Sequence, residues 1–507
     1  MPISIFQTLR RALRAAPAAL VLATYAPGLP AQIADNVAPS SASGTAPALA
    51  ARIDSLLARP ALRRARWGIE VRDAASGRVL YARDAARPFV PASNLKLVVT
   101  AAAAHHLPPS HRWRTTVHAD GEVRGGTLEG DLVLAGRGDP LISARFGRGR
   151  TAVFEALADS LLARGVRRVS GGVVADQSWF DTAYVHGDWD AYDLRWWYAA
   201  PVSALGFNDN SIDFRIQPGT AVGRPARITW APESEYVRLV NATTTARRGA
   251  ANTLDLERLP DGRIRAYGQI ALGAITSTEF FAVDHPARWT GTVFRETLER
   301  KGIAVGRREV RVVSDPAASV AERAPVLASH RSDPLERVIG PILKNSQNWF
   351  AEQLAKTLGK EVRGEGSWAA GLDVQRRFLV DVVGVDSADF VLRDASGLSA
   401  DNRITPRALV ALLRHVERTP GQAIVRRQLP VSGGEGSLEA RFADLPGRVH
   451  AKTGYIGGVD SLSGFVRLRD GRWAVFAVIA NQEGGSSGRM KDGIDQVVRA
   501  IAASNGR

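Results

Sequence analysis

The amino-acid sequence predicts a mixed α/β (α+β) fold, in which an antiparallel sheet flanked by helices is interrupted by a large, mostly β insertion. Three observations predict this fold. A hairpin pattern stands near the start of the chain, helical patterns followed by three alternating runs stand at its end, and residues 108–327 between them are rich in short strands and turns. A chain of 507 residues is ample for a large core.

The N-terminus has the pattern of an export signal. Three arginines within residues 10–14 precede the apolar stretch AAPAALVLATYAPGLPAQ, which is rich in small residues and interrupted by prolines. We therefore expect residues 1–31 to be a signal peptide, residues 32–50 a flexible lead-in, and the protein to be periplasmic or otherwise exported to the cell envelope. An amphipathic N-terminal helix is the alternative interpretation.

Residues 51–107 begin the mixed unit. The segment ALAARIDSLLARPAL has helical spacing, and RWGIEVRDAASGRVLYA contains two alternating runs around a Ser76-Gly77 turn, which predicts a β-hairpin. Pro91 ends the extended stretch, and the run that starts at Ser93 has the composition of a helix.

Residues 108–327 are predicted to be a β-rich insertion, and residues 328–507 complete the first unit. Helical patterns return in DPLERVIGPILKNSQNWFAEQLAKTLGK, and RMKDGIDQVVRAIAAS predicts a closing helix. Between them GRVHAKTGYI, DSLSGFVRLRD and GRWAVFAVIANQ predict three consecutive antiparallel strands. We expect these strands and the first hairpin to form one sheet, so that residues 51–107 and 328–507 make a single domain.

Composition excludes several classes of function. The chain has no cysteine, which excludes disulfides, a thiolate nucleophile and thiolate zinc sites. The net charge of +15 favours anionic surroundings such as wall polymers or membrane headgroups, although an arginine-rich proteome would also produce it. The basic residues are scattered, so we expect no nucleic-acid partner. The adjacent His105 and His106 would point about 100° apart on a helix, and without an H-E-x-x-H motif we expect neither metal nor cofactor.

Lysine is rare in this chain and marks the candidate chemistry. The 66 basic residues include only seven lysines: Lys96, Lys301, Lys344, Lys356, Lys360, Lys452 and Lys491. Arginine cannot replace a lysine that must lose its proton, because arginine stays charged in proteins. Lys96 follows Ser93 by one helical turn, so a neutral Lys96 could accept the hydroxyl proton of Ser93. A capping serine with a lysine that reaches solvent is the alternative.

Two further motifs favour the catalytic interpretation. KNSQNWFAEQLAK supplies Ser346 and Asn348 at a turn between predicted helices, and HAKTGYIGG supplies Lys452, Thr453 and Gly454 on a predicted strand. A glycine in a strand lets a ligand approach the backbone closely. Ser-x-x-Lys, Ser-x-Asn and Lys-Thr-Gly, in that order, are the motifs of penicillin-binding proteins and serine β-lactamases.

The surrounding sequence resembles the penicillin-binding protein 4 type of D-alanyl-D-alanine carboxypeptidases/endopeptidases, the low-molecular-mass class C penicillin-binding proteins. The resemblance covers about residues 51–500, and its other motifs are GDLVLAGRGDP, APVSALGFNDNS, DASGLSADNRITP and LPVSGGEGSLEARF. It implies a β-lactamase/transpeptidase-like catalytic domain with an insertion, 108–327, that forms two small domains. It also implies peptidoglycan stem peptides as substrates and β-lactams as covalent inhibitors.

The resemblance implies a role for each catalytic residue. Ser93 would attack the carbonyl between two D-alanines and become acylated, while Lys96 takes its proton. Ser346 would relay a proton to the leaving amine, with Lys452 close by. The backbone N–H groups of Ser93 and Tyr455 would form the oxyanion hole.

It also implies a substrate-binding surface. Asn348 would hold a substrate amide, Thr453 with Lys452 would receive the terminal carboxylate, and the strand carrying Thr453 and Gly454 would pair with the peptide. Tyr455 stands where the family usually has a second threonine, which puts carboxylate recognition in question. Asp176, in VVADQSWF, is our candidate for reading the amine of a diaminopimelate side chain.

Other functions stay open at this point. A β-lactamase or an esterase would use the same motifs, and a non-catalytic wall-binding scaffold would use the insertion and the positive charge. The segment Gly484–Gly488 fits a nucleophile elbow, but no histidine follows Ser486, so an α/β-hydrolase is excluded. Peripheral association with the membrane or wall and a homodimer are both compatible with the sequence.

Overall fold

The computed structural model describes residues 47–146, 149–482 and 487–505. The predicted signal peptide, all but the last four residues of the lead-in, and residues 484–486 of the elbow-like segment lie outside the described residues. Within the described ranges, no helix is both long enough and apolar enough to cross a membrane.

The described residues form ten α-helices, of which two lie within the β-rich middle of the chain. The helices are α1 (Pro47–Leu57), α2 (Lys96–His106), α3 (Ala152–Ala163), α4 (Pro286–Arg300), α5 (Glu336–Lys344), α6 (Asn348–Arg363), α7 (Trp368–Arg377), α8 (Pro406–Arg418), α9 (Ala423–Arg427) and α10 (Ser487–Ala502).

The described residues also form twenty β-strands. They are β1 (Arg66–Asp73), β2 (Val79–Arg83), β3 (Arg114–Arg124), β4 (Thr127–Ala135), β5 (Arg168–Val169), β6 (Val173–Asp176), β7 (Ser211–Gln217), β8 (Arg227–Ala231), β9 (Leu239–Ala246), β10 (Asp255–Arg258), β11 (Ile264–Ala271), β12 (Ser277–Ala282), β13 (Ala304–Val305), β14 (Arg311–Val313), β15 (Val326–Arg331), β16 (Phe390–Val391), β17 (Arg403–Ile404), β18 (Val449–Ile456), β19 (Val459–Arg467) and β20 (Trp473–Asn481).

The first hairpin and the last three strands form one antiparallel sheet in the order β18-β19-β20-β1-β2, as predicted. Side chains alternate across it because strand residues point to opposite faces in turn. On β20, Val475, Ala477 and Ile479 pack into a core with α2 and α8, whereas Phe476 and Val478 pack into a second core with α1 and α10. The sheet is therefore buried between helices on both faces.

The middle of the chain, from β3 to β15, is rich in strands as predicted. It contains a seven-stranded sheet of β3, β4, β5, β6, β13, β14 and β15 and two three-stranded sheets, β12-β7-β8 and β10-β11-β9. Its own hydrophobic core includes α3 and α4. The domain boundaries at residues 107/108 and 327/328, and a division of the insertion into two domains, stay predictions.

Helix α2 runs through the core of the mixed unit. Its residues from Lys96 to Ala103 are all buried, and it contacts α5, α6 and α8. The small side chains of the run TAAAA suit such close packing on every side. A charged lysine at the start of this helix is therefore in a water-poor environment.

Candidate active site

Ser93 lies in a 3₁₀ turn, Ala92–Leu95, that leads directly into α2, and Lys96 is the first residue of that helix. Ala92 has a φ of 48°, a left-handed conformation that non-glycine residues rarely adopt and that clusters at functional sites. The turn brings the two predicted partners together: Lys96 Nζ lies 2.9 Å from Ser93 Oγ, and the Lys96 side chain is completely buried.

The other contacts of the Lys96 amine define the orientation of its N–H groups and lone pair. Nζ donates to Asn348 Oδ1 at 2.7 Å and to the carbonyl oxygen of Ser396 at 2.7 Å. Asn348 can only accept here, because its Nδ2 is turned away to donate to the Tyr198 carbonyl at 2.8 Å. A neutral amine has two N–H groups and one lone pair. When both N–H groups bind these oxygens, the lone pair faces the hydroxyl of Ser93.

Burial lowers the pKa of Lys96 to about 7, against the opposing influence of the negative charges of Asp394 and Glu352. A large fraction of the side chain is therefore neutral at neutral pH. This is the protonation state that a general base needs.

Asp394 organises the DASGLSADN segment beneath this amine. Its carboxylate accepts hydrogen bonds at 2.7–3.0 Å from Gly397 N, Ser399 N, Asn402 Nδ2 and Trp189 Nε1. All four are donors, which suits a carboxylate because it only accepts. The Ser396–Gly397 peptide links Asp394 to Lys96: its N–H donates to Asp394, and its carbonyl accepts from Lys96.

Glu352, on α6, holds the preceding part of the same segment. It accepts from the backbone N–H groups of Ala395 at 3.2 Å and Ser396 at 2.8 Å, and from Trp368 Nε1 at 2.8 Å. Burial and the charge of Asp394 raise the pKa of Glu352 to about 7. The two carboxylates thus fix the backbone that presents the Ser396 carbonyl.

Gly397 packs this segment against the 3₁₀ turn that carries Ser93. A Cβ atom at Gly397 would lie 1.9 Å from the carbonyl oxygen of Ala92, and the residue has a φ of 78°. Both the contact and the conformation require glycine.

A second buried lysine faces Ser346. Lys452 Nζ donates to Ser346 Oγ at 2.9 Å and to the Thr453 carbonyl at 2.6 Å. Burial, and then the nearby charge of Lys96, hold the pKa of Lys452 well below its ordinary value. Ser346 occupies the connection between α5 and α6 with a φ of 60°, a left-handed conformation that is rare for serine.

Strand β18 lies directly against the 3₁₀ turn that carries Ser93, at Gly454. A Cβ atom there would lie 2.3 Å from Ser461 Oγ, 2.9 Å from the Pro91 carbonyl oxygen and 3.0 Å from Ser93 N. Ser461 in turn donates to the Pro91 carbonyl at 2.7 Å. β18 is the outermost strand of its sheet, and residues 449–451 of its outer edge bond to residues 430–432. The rest of that edge, residues 452–456, is the part available to an extended peptide.

The remaining predicted residues differ in their surroundings. Thr453 Oγ1 donates to Ser437 Oγ at 2.9 Å, and Tyr455, which follows Gly454, is 43% exposed. Asp176 is buried at the end of β6, where it accepts from Ser178 N at 2.9 Å and from Ser319 Oγ. These contacts do not join Asp176 to the other eight predicted residues.

The structure thus links Ser93, Lys96 and Asn348 in one hydrogen-bonded group and Ser346, Lys452 and Thr453 in another. The sequence analysis missed Glu352 and Asp394. A signal for Asp394 was present, because an aspartate followed by Ser, Gly and Asn is typical of loops in which a carboxylate accepts backbone N–H groups. A buried glutamate on α6 has no comparable local signal.

Comparison with known proteins identifies the family. Residues 49–503 match the model of the D-Ala-D-Ala carboxypeptidase 3 (S13) family. A D-alanyl-D-alanine carboxypeptidase of Actinomadura sp. (strain R39) is 36% identical over 448 residues, which cover 85% of this chain and 81% of the relative. The D-alanyl-D-alanine carboxypeptidase DacB of Haemophilus influenzae is 23% identical over 397 residues, or 77% of this chain and 80% of that protein.

The fold agrees with this family. The crystal structure of penicillin-binding protein 4 from Haemophilus influenzae matches with a TM-score of 0.77 over 88% of this chain and 97% of that one, at 21% identity. The likeness confirms the predicted fold class. With the family model spanning most of its length, this chain belongs to the D-Ala-D-Ala carboxypeptidase 3 (S13) family.

Proposed function

We propose that this chain is a serine-type D-Ala-D-Ala carboxypeptidase of peptidoglycan that works through an acyl-enzyme on Ser93. The class of enzyme follows from the family. The observation that carries the choice of nucleophile is the 2.9 Å contact between Ser93 Oγ and the buried Lys96 Nζ, whose two N–H groups are engaged elsewhere.

In the acylation step, Ser93 Oγ attacks the carbonyl carbon of the penultimate D-alanine while its proton moves to Lys96 Nζ. The resulting ammonium has three N–H donors, and the Ser396 carbonyl, Asn348 Oδ1 and the serine oxygen accept them. The oxyanion would bind the backbone N–H groups of Ser93 and Tyr455, and losing one such donor typically slows a reaction by ~10²–10³-fold.

The C–N bond to the terminal D-alanine then breaks, and the leaving nitrogen takes a proton from the Ser346 hydroxyl. The proton that Lys96 accepted from Ser93 replaces it by way of Lys452, so Lys96 is neutral again before deacylation. In deacylation, water attacks the ester carbonyl as Lys96 accepts a proton. The ester bond breaks, and Ser93 recovers its hydroxyl proton. A β-lactam would acylate Ser93 but would not be released by deacylation, so it would remain attached to Ser93.

The substrate peptide would add to the free edge of β18, with its terminal carboxylate at Thr453 and Lys452. Asn348 is proposed to contact a substrate amide, but both ends of its own amide are already engaged, so this contact requires release of the Tyr198 carbonyl. Tyr455 borders the same edge. Asp176 would read a diaminopimelate amine only after separating from Ser319.

Two finer features belong to the same proposal. Cross-linked stem peptides contain the same D-alanyl bond type, so DD-endopeptidase activity is proposed beside carboxypeptidase activity. Because peptidoglycan lies outside the cytoplasm, we also propose export to the cell envelope by the predicted signal peptide, residues 1–31, with peripheral attachment to membrane or wall.

The test uses labelled penicillin and a muropeptide that ends in D-Ala-D-Ala, with mass spectrometry of the protein and of released D-alanine. We expect a stable adduct on Ser93 and D-alanine release, both abolished in a folded Ser93→Ala protein. Ser110→Ala, at an exposed serine, is the matched control. A folded wild-type protein without the adduct would refute the proposal, and rapid turnover of the adduct would indicate a β-lactamase instead.

A further inference from the structure

Three connections between strands meet at one end of the two small sheets, and together we call them the arginine tip. Residues 218–226 join β7 to β8, residues 247–254 join β9 to β10, and residues 272–276 join β11 to β12. The topology places them together, because β9 and β11 run parallel and end side by side, whereas β8 and β12 both run antiparallel to β7 and begin where it ends.

Backbone hydrogen bonds join the three connections into one surface. Gly223 N donates to the Thr245 carbonyl at 2.8 Å, at the end of β9. Leu272 N donates to the Ala246 carbonyl at 2.8 Å, one residue further along the same strand. The end of β9 therefore bridges the first connection and the third.

The tip exposes the two most accessible large hydrophobic side chains of the described residues. Ile275 is 84% exposed and Val222 is 57% exposed. Transfer of aliphatic side chains out of water into an apolar environment lowers the free energy. An Ile and a Val exposed on connections at the same end of the two sheets therefore favour contact with another apolar phase.

The charged residues of the tip are all positive. Arg224, Arg247 and Arg248 lie in the connections, which contain no aspartate or glutamate. Of the charged residues that directly flank the connections, Arg227 begins β8 and the buried Asp255 begins β10. A Cβ atom at Gly273 would lie 2.5 Å from a guanidinium nitrogen of Arg248, so this guanidinium covers the connection that carries Ile275.

These guanidinium groups make no hydrogen bond or ion pair with any other described residue. Several arginines elsewhere in the β-rich middle are paired with carboxylates, whereas others are not; the pairs include Arg145 with Asp209, Arg150 with Asp213, Arg258 with Asp284, Arg295 with Glu299 and Arg311 with Asp131. The tip thus carries positive charge that no described residue neutralises.

We propose that the arginine tip docks on the surface of an anionic lipid bilayer. Peripheral binding to such a surface combines insertion of apolar side chains with attraction of cations to lipid phosphates, and one of these interactions alone holds a protein only weakly. The tip supplies both. An anionic wall polymer would satisfy the arginines but leave Ile275 and Val222 in water, so the exposed aliphatic pair favours lipid.

The test is sedimentation of the full chain with phosphatidylcholine vesicles that contain 0–40% phosphatidylglycerol. We expect binding that rises with the anionic fraction. The double variant Val222→Ser/Ile275→Ser should bind roughly 10–100-fold more weakly, and Arg247→Ala/Arg248→Ala about 10–30-fold more weakly. Val391→Ser, at an aliphatic residue that is 51% exposed, and Arg63→Ala/Arg64→Ala, at adjacent exposed arginines, should bind like the wild type.

Comparison among full-length variants keeps any contribution of the N-terminal segment constant, and thermal unfolding confirms that each variant is folded. Equal binding by the wild type and both tip variants would overturn the proposal. The proposal would also be overturned if the arginine variant bound more weakly while Val222→Ser/Ile275→Ser bound like the wild type, because that pattern is typical of a site for a polyanion. The measurement does not depend on acylation of Ser93, so it stands apart from the proposed enzyme activity.

Discussion

Replacing Asp394 with asparagine removes a charge that reaches the amine of Lys96, the proposed base, through a single peptide unit. Asp394 accepts from the N–H of Gly397 at 2.8 Å, and the carbonyl of the same peptide, that of Ser396, accepts from Lys96 at 2.7 Å. Lys96 in turn contacts Ser93. The substitution keeps the size of the side chain while removing its negative charge.

The sign and size of the effect follow from this geometry. The charge of Asp394 favours the ammonium form of Lys96 and so opposes the effect of burial, which brings the pKa to about 7. An opposite charge within ~4–6 Å shifts a pKa by about 1–3 units, and a charge one peptide away belongs at the lower end, about one unit or ~1.4 kcal/mol. We therefore expect the pKa of Lys96 to fall by about one unit in the variant.

If neutral Lys96 is the base, as proposed, acylation accelerates as the pH rises through its pKa, and the acid limb of the rate profile should move down by about one pH unit. The plateau rate should also fall by roughly 10–100-fold, since the new amide group faces hydrogen-bond donors and loosens the Ser396 carbonyl. The assay is stopped-flow acylation by a fluorescent penicillin between pH 5 and 9.

Asp389→Asn is the matched control, because Asp389 is a buried carboxylate that pairs with Arg407 away from Lys96. A lower plateau with an unmoved acid limb in Asp394→Asn would mean that Asp394 acts only on structure, and the electrostatic reasoning would be wrong. If that variant does not fold, Trp189→Phe removes one donor to Asp394 while keeping an aromatic ring. It should slow acylation several-fold, and an unchanged rate would contradict the argument.

Three further predictions concern neighbouring residues. Gly454→Ala should cut the acylation rate at least ~100-fold, because its Cβ would lie 3.0 Å from Ser93 N. Gly421→Ala is the control, since a Cβ there meets nothing within 4 Å, and it should match the wild type. Equal acylation rates in the two variants would refute the prediction. The stability difference between Lys96→Met and the wild type should favour the variant more at pH 6 than at pH 10, by up to about 4 kcal/mol. Burial lowers the pKa of Lys96 in the folded state from 10.5 to about 7, so the wild type becomes more stable as the pH rises through that window. Denaturant titrations at both pH values test it, and a pH-independent difference would contradict it. Ser437→Ala should raise the KM for a D-Ala-D-Ala peptide a few-fold with kcat little changed, because it removes the partner that orients the Thr453 hydroxyl, which would hold the carboxylate. A change in kcat alone would oppose that role.

The sequence predicted those parts of the molecule that depend on local spacing. Alternating runs with short turns predicted both the first hairpin and the three final strands, and one sheet was expected because a single mixed unit split by an insertion is the simplest account of strands at both ends. The spacing of Ser93 and Lys96 placed them one helical turn apart, which is also how the structure brings their side chains into contact. In these cases neighbours along the chain are neighbours in space.

What the sequence did not predict depends on contacts between distant segments and the backbone. The carboxylates of Glu352 and Asp394 bind main-chain N–H groups, which every residue except proline possesses, so no pairing of side-chain types announces them. The left-handed conformation of Ala92 has no sequence signal either, since alanine gives no hint of a positive φ. Such features appear only once Gly397 is seen against the Ala92 carbonyl.

The two buried lysines show why the carboxylates matter to the chemistry. Burial lowers the pKa of both, but for Lys96 the charges of Asp394 and Glu352 oppose it, whereas for Lys452 the charge of Lys96 acts in the same direction as burial. A base whose pKa fell far below the working pH would be neutral but too weak to take a hydroxyl proton. The carboxylates therefore keep the pKa of Lys96 near 7, so that a large fraction of the side chain is neutral while the amine is still basic enough to take a hydroxyl proton. Lys452, without such opposition, is suited to gain a proton when an anionic carboxylate binds beside it.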